Sequence, residues 1–499
     1  MSEERVKKIS FFNLKNTKFL KALPLGALFY TLSSVAVKGV GALYKIPLSA
    51  LLGAEGSGLY QMIFPLYALL LTVSGASLPT ALTRIIGGGY DKKSAIKKSF
   101  VCFLGAGGIT FLLLFAFAPQ VAAVQGNKNA ASLYRIISPA ILICSASAVL
   151  RGALQGGGSF FYTAVSQICE QGVKAAIGLT LISVFGGDYL QKAKIAVGAV
   201  TASEIITLLY LIAAYFFKTK KENSALTGDK ANETVITEKT LSEEKGKKFG
   251  YKTLIFYVVP LCLTGLIMPL SAFFDSFISI NALKLNFSNA TALYGTFAGG
   301  AETVIALPVG AITAFATACL PLFCKNGGAR KKVFAFCAVV SGLSAAAIFI
   351  FSETITDLLF FKFGEYKSLT SVLLRAGAAN VVFQSLLTVS NVILLSYDKQ
   401  FYSVFSMFSG LIIKVALDFL LIKNPQINVF GLVISDSCFY LVALGLNLGY
   451  IIYRGKKVAA PKNDFGGDLY NDEKEVICSD ENSSDRIGQA KRRTVGKRV

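Results

Sequence analysis

The chain has 499 residues, 54% of them hydrophobic and only 16% charged, a balance that excludes a string of soluble domains and points to a membrane protein. It contains no histidine, which removes His-ligated metals, His general bases and His-dependent acyl transfer, and with them most enzyme classes; no catalytic residue, metal or cofactor is expected. The formal net charge of +21 would suit nucleic acid if clustered, but its distribution reads as membrane topology, so no nucleic-acid partner is expected.

Apolar runs long enough to cross a bilayer, about 20 residues each, fall near 24–51, 58–86, 97–118, 130–152, 160–185, 191–217, 252–281, 290–320, 332–351, 368–396, 400–422 and 429–453. Twelve spans put both ends of the chain on one side. The segments on that side carry 36 Lys and Arg and the opposite loops carry 7, so both termini are expected in the cytoplasm of a multi-pass cell-membrane protein. Prolines at 47, 65, 79, 139, 260, 269 and 308 predict kinked or broken helices. The basic stretch 1–23 reads as a cytoplasmic tail rather than a signal peptide, because the apolar run after it is too long and lacks a small-residue cleavage site. Residues 218–251 and 454–499 are polar and unpatterned. They read as a disordered linker and C-tail flanking two six-helix lobes, 24–217 and 252–453. The nine cysteines form no CxxC pair and read as small apolar residues.

The two halves resemble each other. At an offset of 240 residues, 161–182 lies over 401–422 without a gap, matching Lys174 with Lys414, and the same register pairs Arg135 with Arg375. Six spans per half is an even number, so the lobes should share one orientation about a pseudo-two-fold axis along the membrane normal, an all-α transporter architecture.

Ionisable residues deep in a bilayer are costly and are functional candidates by default. Lys38, Lys174, Glu170, Glu204, Glu302, Lys414 and Asp418 lie deep in their spans; Lys45, Arg84 and Arg151 lie near span ends, where snorkelling is an equal alternative. Glu170 with Lys174, and Lys414 with Asp418, have the i,i+4 spacing of a structural ion pair. By lobe, the first holds six cations against two acids, whereas the second holds two cations against Asp275, Glu302, Asp418 and Asp436. A basic first lobe suits an anionic headgroup such as a diphosphate, and an acidic second lobe suits a coupling cation or proton. There is no GxxxxGK[ST] motif, so ATP is not expected as the direct energy source.

The stretches KGVGALYKIPLSALLGAEGSGLYQMIFPLYALLLTVSGASLPTALTRII (38–86) and ATALYGTFAGGAETVIALPVGAITAFATACLPLF (290–323) resemble the stage V sporulation protein B branch of the MOP flippase superfamily. The resemblance implies two lobes opening alternately around a cavity whose basic residues hold the diphosphate of a polyprenyl-linked saccharide, with Lys38, Lys45 and Arg84 where the family places cavity cations; Lys174, a cation deep in its span, joins them as a substrate-binding candidate. Asp275, Glu302, Lys414 and Asp418 are assigned to ion coupling or to an ion pair within the lobe. The expected activity is inner-to-outer-leaflet flipping of a lipid II-like or polysaccharide precursor by a monomer embedded in membrane lipids. The alternatives are a cation-coupled multidrug antiporter and, from another class, a membrane glycosyltransferase or polymerase.

Overall fold

The computed structural model describes residues 25–227, 249–325, 327–397 and 399–459. Among these there is no β-strand; a helix satisfies every backbone N–H and C=O within its own segment, as hydrocarbon demands. Helix α1 (Leu25–Leu71) holds the first span and most of the second, broken at Gly53, whose φ of 69° lies where a side chain is disfavoured. A π-turn at Thr72–Ala76 leads into α2 (Leu78–Gly87). Helices α3 (Lys92–Ala116), α4 (Ala130–Gly156), α5 (Phe160–Phe185) and α6 (Tyr189–Thr227) complete the first lobe. The second lobe comprises α7 (Tyr251–Leu283), α8 (Ala290–Ala318), α9 (Gly327–Leu359), α10 (Tyr366–Leu395), α11 (Gln400–Leu421) and α12 (Phe430–Ala459). Among the described residues eleven helices are long and apolar enough to cross a membrane, the first of them Tyr44–Gly87, which runs across the Gly53 break.

Two expectations need correction. The linker expected from residue 218 starts later, since α6 stays helical to Thr227; residues 228–248, the tail 460–499 and the N-tail lie outside the described residues. Nor do prolines set the breaks. Pro47, Pro65, Pro139, Pro260, Pro269 and Pro308 all sit inside helices that continue through them, as membrane helices permit when neighbours satisfy the freed carbonyls. The irregular turns centre on glycine: Gly53, Gly75 in the first π-turn, and Gly299 with Gly300 in a second π-turn at Thr296–Ala301 within α8.

The internal repeat is visible in space. The two π-turns fall in the second span of each half. Arg135 of α4 lies 6.0 Å from the ring centroid of Phe115 on α3, and Arg375 of α10 lies 6.0 Å from that of Phe349 on α9, so both lobes build the same cation–ring contact from matching helices.

One end of the bundle is sealed by close backbone approach. A Cβ placed on Gly58 would stand 2.0 Å from the Thr291 carbonyl oxygen, and one on Gly295 would stand 1.9 Å from that of Ala54. Only glycine lets α1 and α8 meet this closely. Asn127 Nδ2 donates to Thr291 Oγ1 at 2.9 Å and Asn281 Nδ2 to the Val124 carbonyl at 3.0 Å, adding hydrogen bonds between the lobes at the same end. At the other end Phe249, Leu254 and Val258 pack against Leu78, Leu82 and Phe103 in a separate apolar cluster.

A charged cavity between the lobes

Between the lobes lie two adjoining cavities of about 200 and 360 Å³, which share Lys45, Gln61, Thr303 and Ala306 in their walls. The helices α1 and α8 supply the shared wall, and the second π-turn places Phe297 and Ala298 there, directly before Glu302. Gln61 Nε2 donates to the Ala298 carbonyl at 2.9 Å, a group left available by the π-turn, which ties α1 to α8 inside the cavity.

The smaller cavity ends at an ion cluster in the second lobe. Lys414 on α11 is 2% exposed, and its Nζ donates to Asp275 Oδ2 of α7 at 2.8 Å and also to Asp436 Oδ1 of α12. One ammonium therefore joins three helices. An unpaired charge at this depth would be strongly unfavourable, and the two carboxylates offset the desolvation of the lysine. Glu302, Gln384 and Tyr440 line the same space.

The larger cavity belongs mainly to the first lobe. Lys174 of α5 lies 5.8 Å from the Tyr44 ring centroid, with Gln171, Tyr60 and Phe64 alongside. Among the described residues, neither Lys174 nor Lys45 makes an ion pair. Two cations, neither bonded to a carboxylate, thus face the cavity, with Glu302 near Lys45 and Glu170 and Glu204 near Lys174, together with amide and phenol groups able to bond phosphate or sugar oxygens.

The residues singled out by sequence are only partly gathered here. Lys45, Lys174, Asp275, Glu302 and Lys414 line the two cavities. Lys38 falls in α1, but its side chain lies outside the described residues. Arg84 is exposed in the last turn of α2 and lines neither cavity. Asp418 is fully buried, yet it accepts a hydrogen bond from Ser435 Oγ and lies beyond ion-pair reach of Lys414. The other i,i+4 pair fails in the same way: Glu170 takes Arg151 of α4 at 2.8 Å, not Lys174. Both corrections have one cause. The side chains turn toward partners on packed neighbouring helices, where burial makes an ion pair much stronger than along an exposed helix face. Gln61 and Tyr440 carry no sequence signal of a site; Asp436 counts among the acids of the second lobe in the sequence but is assigned to the cluster only by its contact with Lys414.

Over residues 25–327 the sequence matches the family described as Polysaccharide biosynthesis protein. The chain belongs to this family. Relatives in Bacillus subtilis (strain 168) include the uncharacterized membrane protein YabM, 26% identical over 441 residues covering 85% of this chain and 79% of that one. The lipid II flippase MurJ is 25% identical, covering 84% and 80%, and stage V sporulation protein B is 24% identical, covering 81% and 79%. Among solved structures, an inward-facing multidrug resistance MATE family transporter of the MOP superfamily superposes with a TM-score of 0.66 at 15% identity, covering 85% of this chain and 95% of that one. The lipid II flippase MurJ in an inward closed conformation gives 0.61 at 12% identity, covering 85% and 87%. These likenesses establish the two-lobed fold of the MOP superfamily and bear out the resemblance of 38–86 and 290–323.

Proposed function

We propose that this family member is a flippase that moves a polyprenyl-diphosphate-linked saccharide from the cytoplasmic to the outer leaflet by alternating access of its two lobes. The observation that carries the reading is the pair Lys45 and Lys174, two cavity-lining cations that form no salt bridge among the described residues, flanked by Gln61, Gln171 and Tyr60. A diphosphate supplies the missing charge through charge-assisted hydrogen bonds, while the amides and phenol suit sugar hydroxyls. With the lysine-rich segments in the cytoplasm, the sealed Gly58–Gly295 end would lie at the outer face and the cavity would be closed to the outside. The flippase name of the relative MurJ supports this reading.

A cation-coupled drug antiporter shares the fold, but a cationic drug would meet Lys45 and Lys174 in the larger cavity and would have to displace Lys414 from Asp275 and Asp436. The test is native mass spectrometry of the purified protein for co-purified lipid, with flipping measured in proteoliposomes. A bound polyprenyl diphosphate, lost in Lys45→Ala/Lys174→Ala, supports the flippase; drug binding with no such lipid refutes it.

A further inference from the structure

A third cavity, of about 550 Å³, lies apart from the central one, between the first turns of α3, the end of α4 and the later part of α6. Four lysines line it: Lys92, Lys93, Lys97 and Lys218. No Asp or Glu is among its described lining residues. The nearest acid in sequence, Asp91, is engaged as the cap of α3, its Oδ2 accepting from the Ser94 N–H at 2.8 Å. Lys218 Nζ donates to the Gly157 carbonyl at 2.9 Å, which holds that ammonium at the cavity wall. Three of the four lysines also occupy the opening turns of α3, where the helix dipole disfavours positive charge and the single Asp91 cap is outnumbered. Lys92, Lys93 and Lys97, close together at one helix end, repel one another, and an anion among them relieves that repulsion.

The wall changes character within one helical turn. Phe100 and Val101 follow the lysines along α3, line the same cavity, and are 40% and 58% exposed. A soluble anion has no use for this apolar wall, whereas an amphiphile with an anionic head and acyl chains matches both parts. We propose that this cavity binds an acidic membrane phospholipid, its phosphodiester headgroup among Lys92, Lys93, Lys97 and Lys218 and its chains along Phe100 and Val101. Basic pockets between membrane helices at the lysine-rich face are suited to such headgroups. The three helices that form the cavity all belong to the first lobe, so the lipid binds that lobe as a unit. This site is independent of the transport substrate.

The test uses the full-length protein in neutral detergent, titrated with phosphatidylglycerol or phosphatidylcholine, with adducts counted by native mass spectrometry and melting followed in parallel. The expected result is selective retention of phosphatidylglycerol, weakened by about fivefold for each lysine removed in Lys93→Gln/Lys97→Gln and restored in Lys93→Arg/Lys97→Arg. If the double variant fails to fold, Lys97→Gln alone serves the same comparison. Equal adducts of the two lipids on the wild type, or unchanged phosphatidylglycerol retention in the glutamine variant, would overturn the proposal. So would inorganic phosphate that raises the melting temperature as far as the lipid does, which would make the site one for a free anion.

Discussion

Lys174 and Lys414 occupy matching positions in the two halves, and the two lobes use them in opposite ways. Lys414 is enclosed by Asp275 and Asp436 and joins α7, α11 and α12. Lys174 forms no salt bridge among the described residues and faces a cavity beside Tyr44. The same residue type in the same register is a structural clasp in one lobe and a cavity-lining cation in the other. What decides is the set of side chains offered by the helices across from it: two aspartates in one case, a tyrosine and a glutamine in the other.

The largest effect should come from breaking the clasp. Lys414→Ala leaves two carboxylates facing each other in a buried site and should destabilise the protein by about 3–5 kcal/mol, read as a large fall in melting temperature in detergent. A melting temperature equal to that of Lys174→Ala would erase the contrast between the lobes. Removing Lys45 and Lys174 together should do the reverse, leaving melting nearly unchanged while weakening capture of a diphosphate lipid by about 1.5–3 kcal/mol per lost charged hydrogen bond. At about 1.4 kcal/mol for each factor of ten, that loss is readily seen in a lipid-binding titration.

A third test addresses the contact where the lobes meet. Gly295→Val cannot keep the present approach to Ala54, so the sealed end should separate at a cost of about 1–3 kcal/mol. A pair of spin labels on the Asn127 and Asn286 loops should report a longer distance; an unchanged distance would show that the neighbouring backbone yields instead. The smallest effect is expected for Asp418→Asn. Asparagine can still accept from Ser435 and no ion pair is lost, so stability should change by less than about 1 kcal/mol. Because Lys414 already serves as the cation between Asp275 and Asp436, flipping should also proceed without sodium. A sodium requirement abolished by Asp418→Asn would show that Lys414 gives way to an ion during the cycle.

The all-α membrane class, the span positions and the duplication were legible because hydropathy and repeat spacing are properties of one segment at a time. The aligned Lys174 and Lys414 could likewise be recognised as matching residues, but not as different ones. Their partners lie on α1, α7 and α12, up to 139 residues away in the case of Asp275, and sequence spacing carries no information about which faces meet. The i,i+4 rule paired Asp418 with Lys414 and Glu170 with Lys174; across helices Lys414 takes Asp275, one of the residues assigned to that lobe's ion pair, and Asp436, while Glu170 takes Arg151. Arg135 and Arg375 show the same limit. Their register was readable, but not their position outside the cavities against Phe115 and Phe349.

The second π-turn has a mechanical consequence. A π-turn holds one residue more than an α-turn, and releasing it to ordinary helix would rotate everything that follows by about 100°. Glu302 is the first residue after the turn at Thr296–Ala301, so such a change of pitch would swing its carboxylate out of the cavity without moving α8 as a body. Deleting Gly299 should impose the change permanently. A cysteine at position 302 would then lose its reactivity toward a water-soluble thiol reagent entering the cavity, and retained reactivity would show that the extra residue is only a fixed bend.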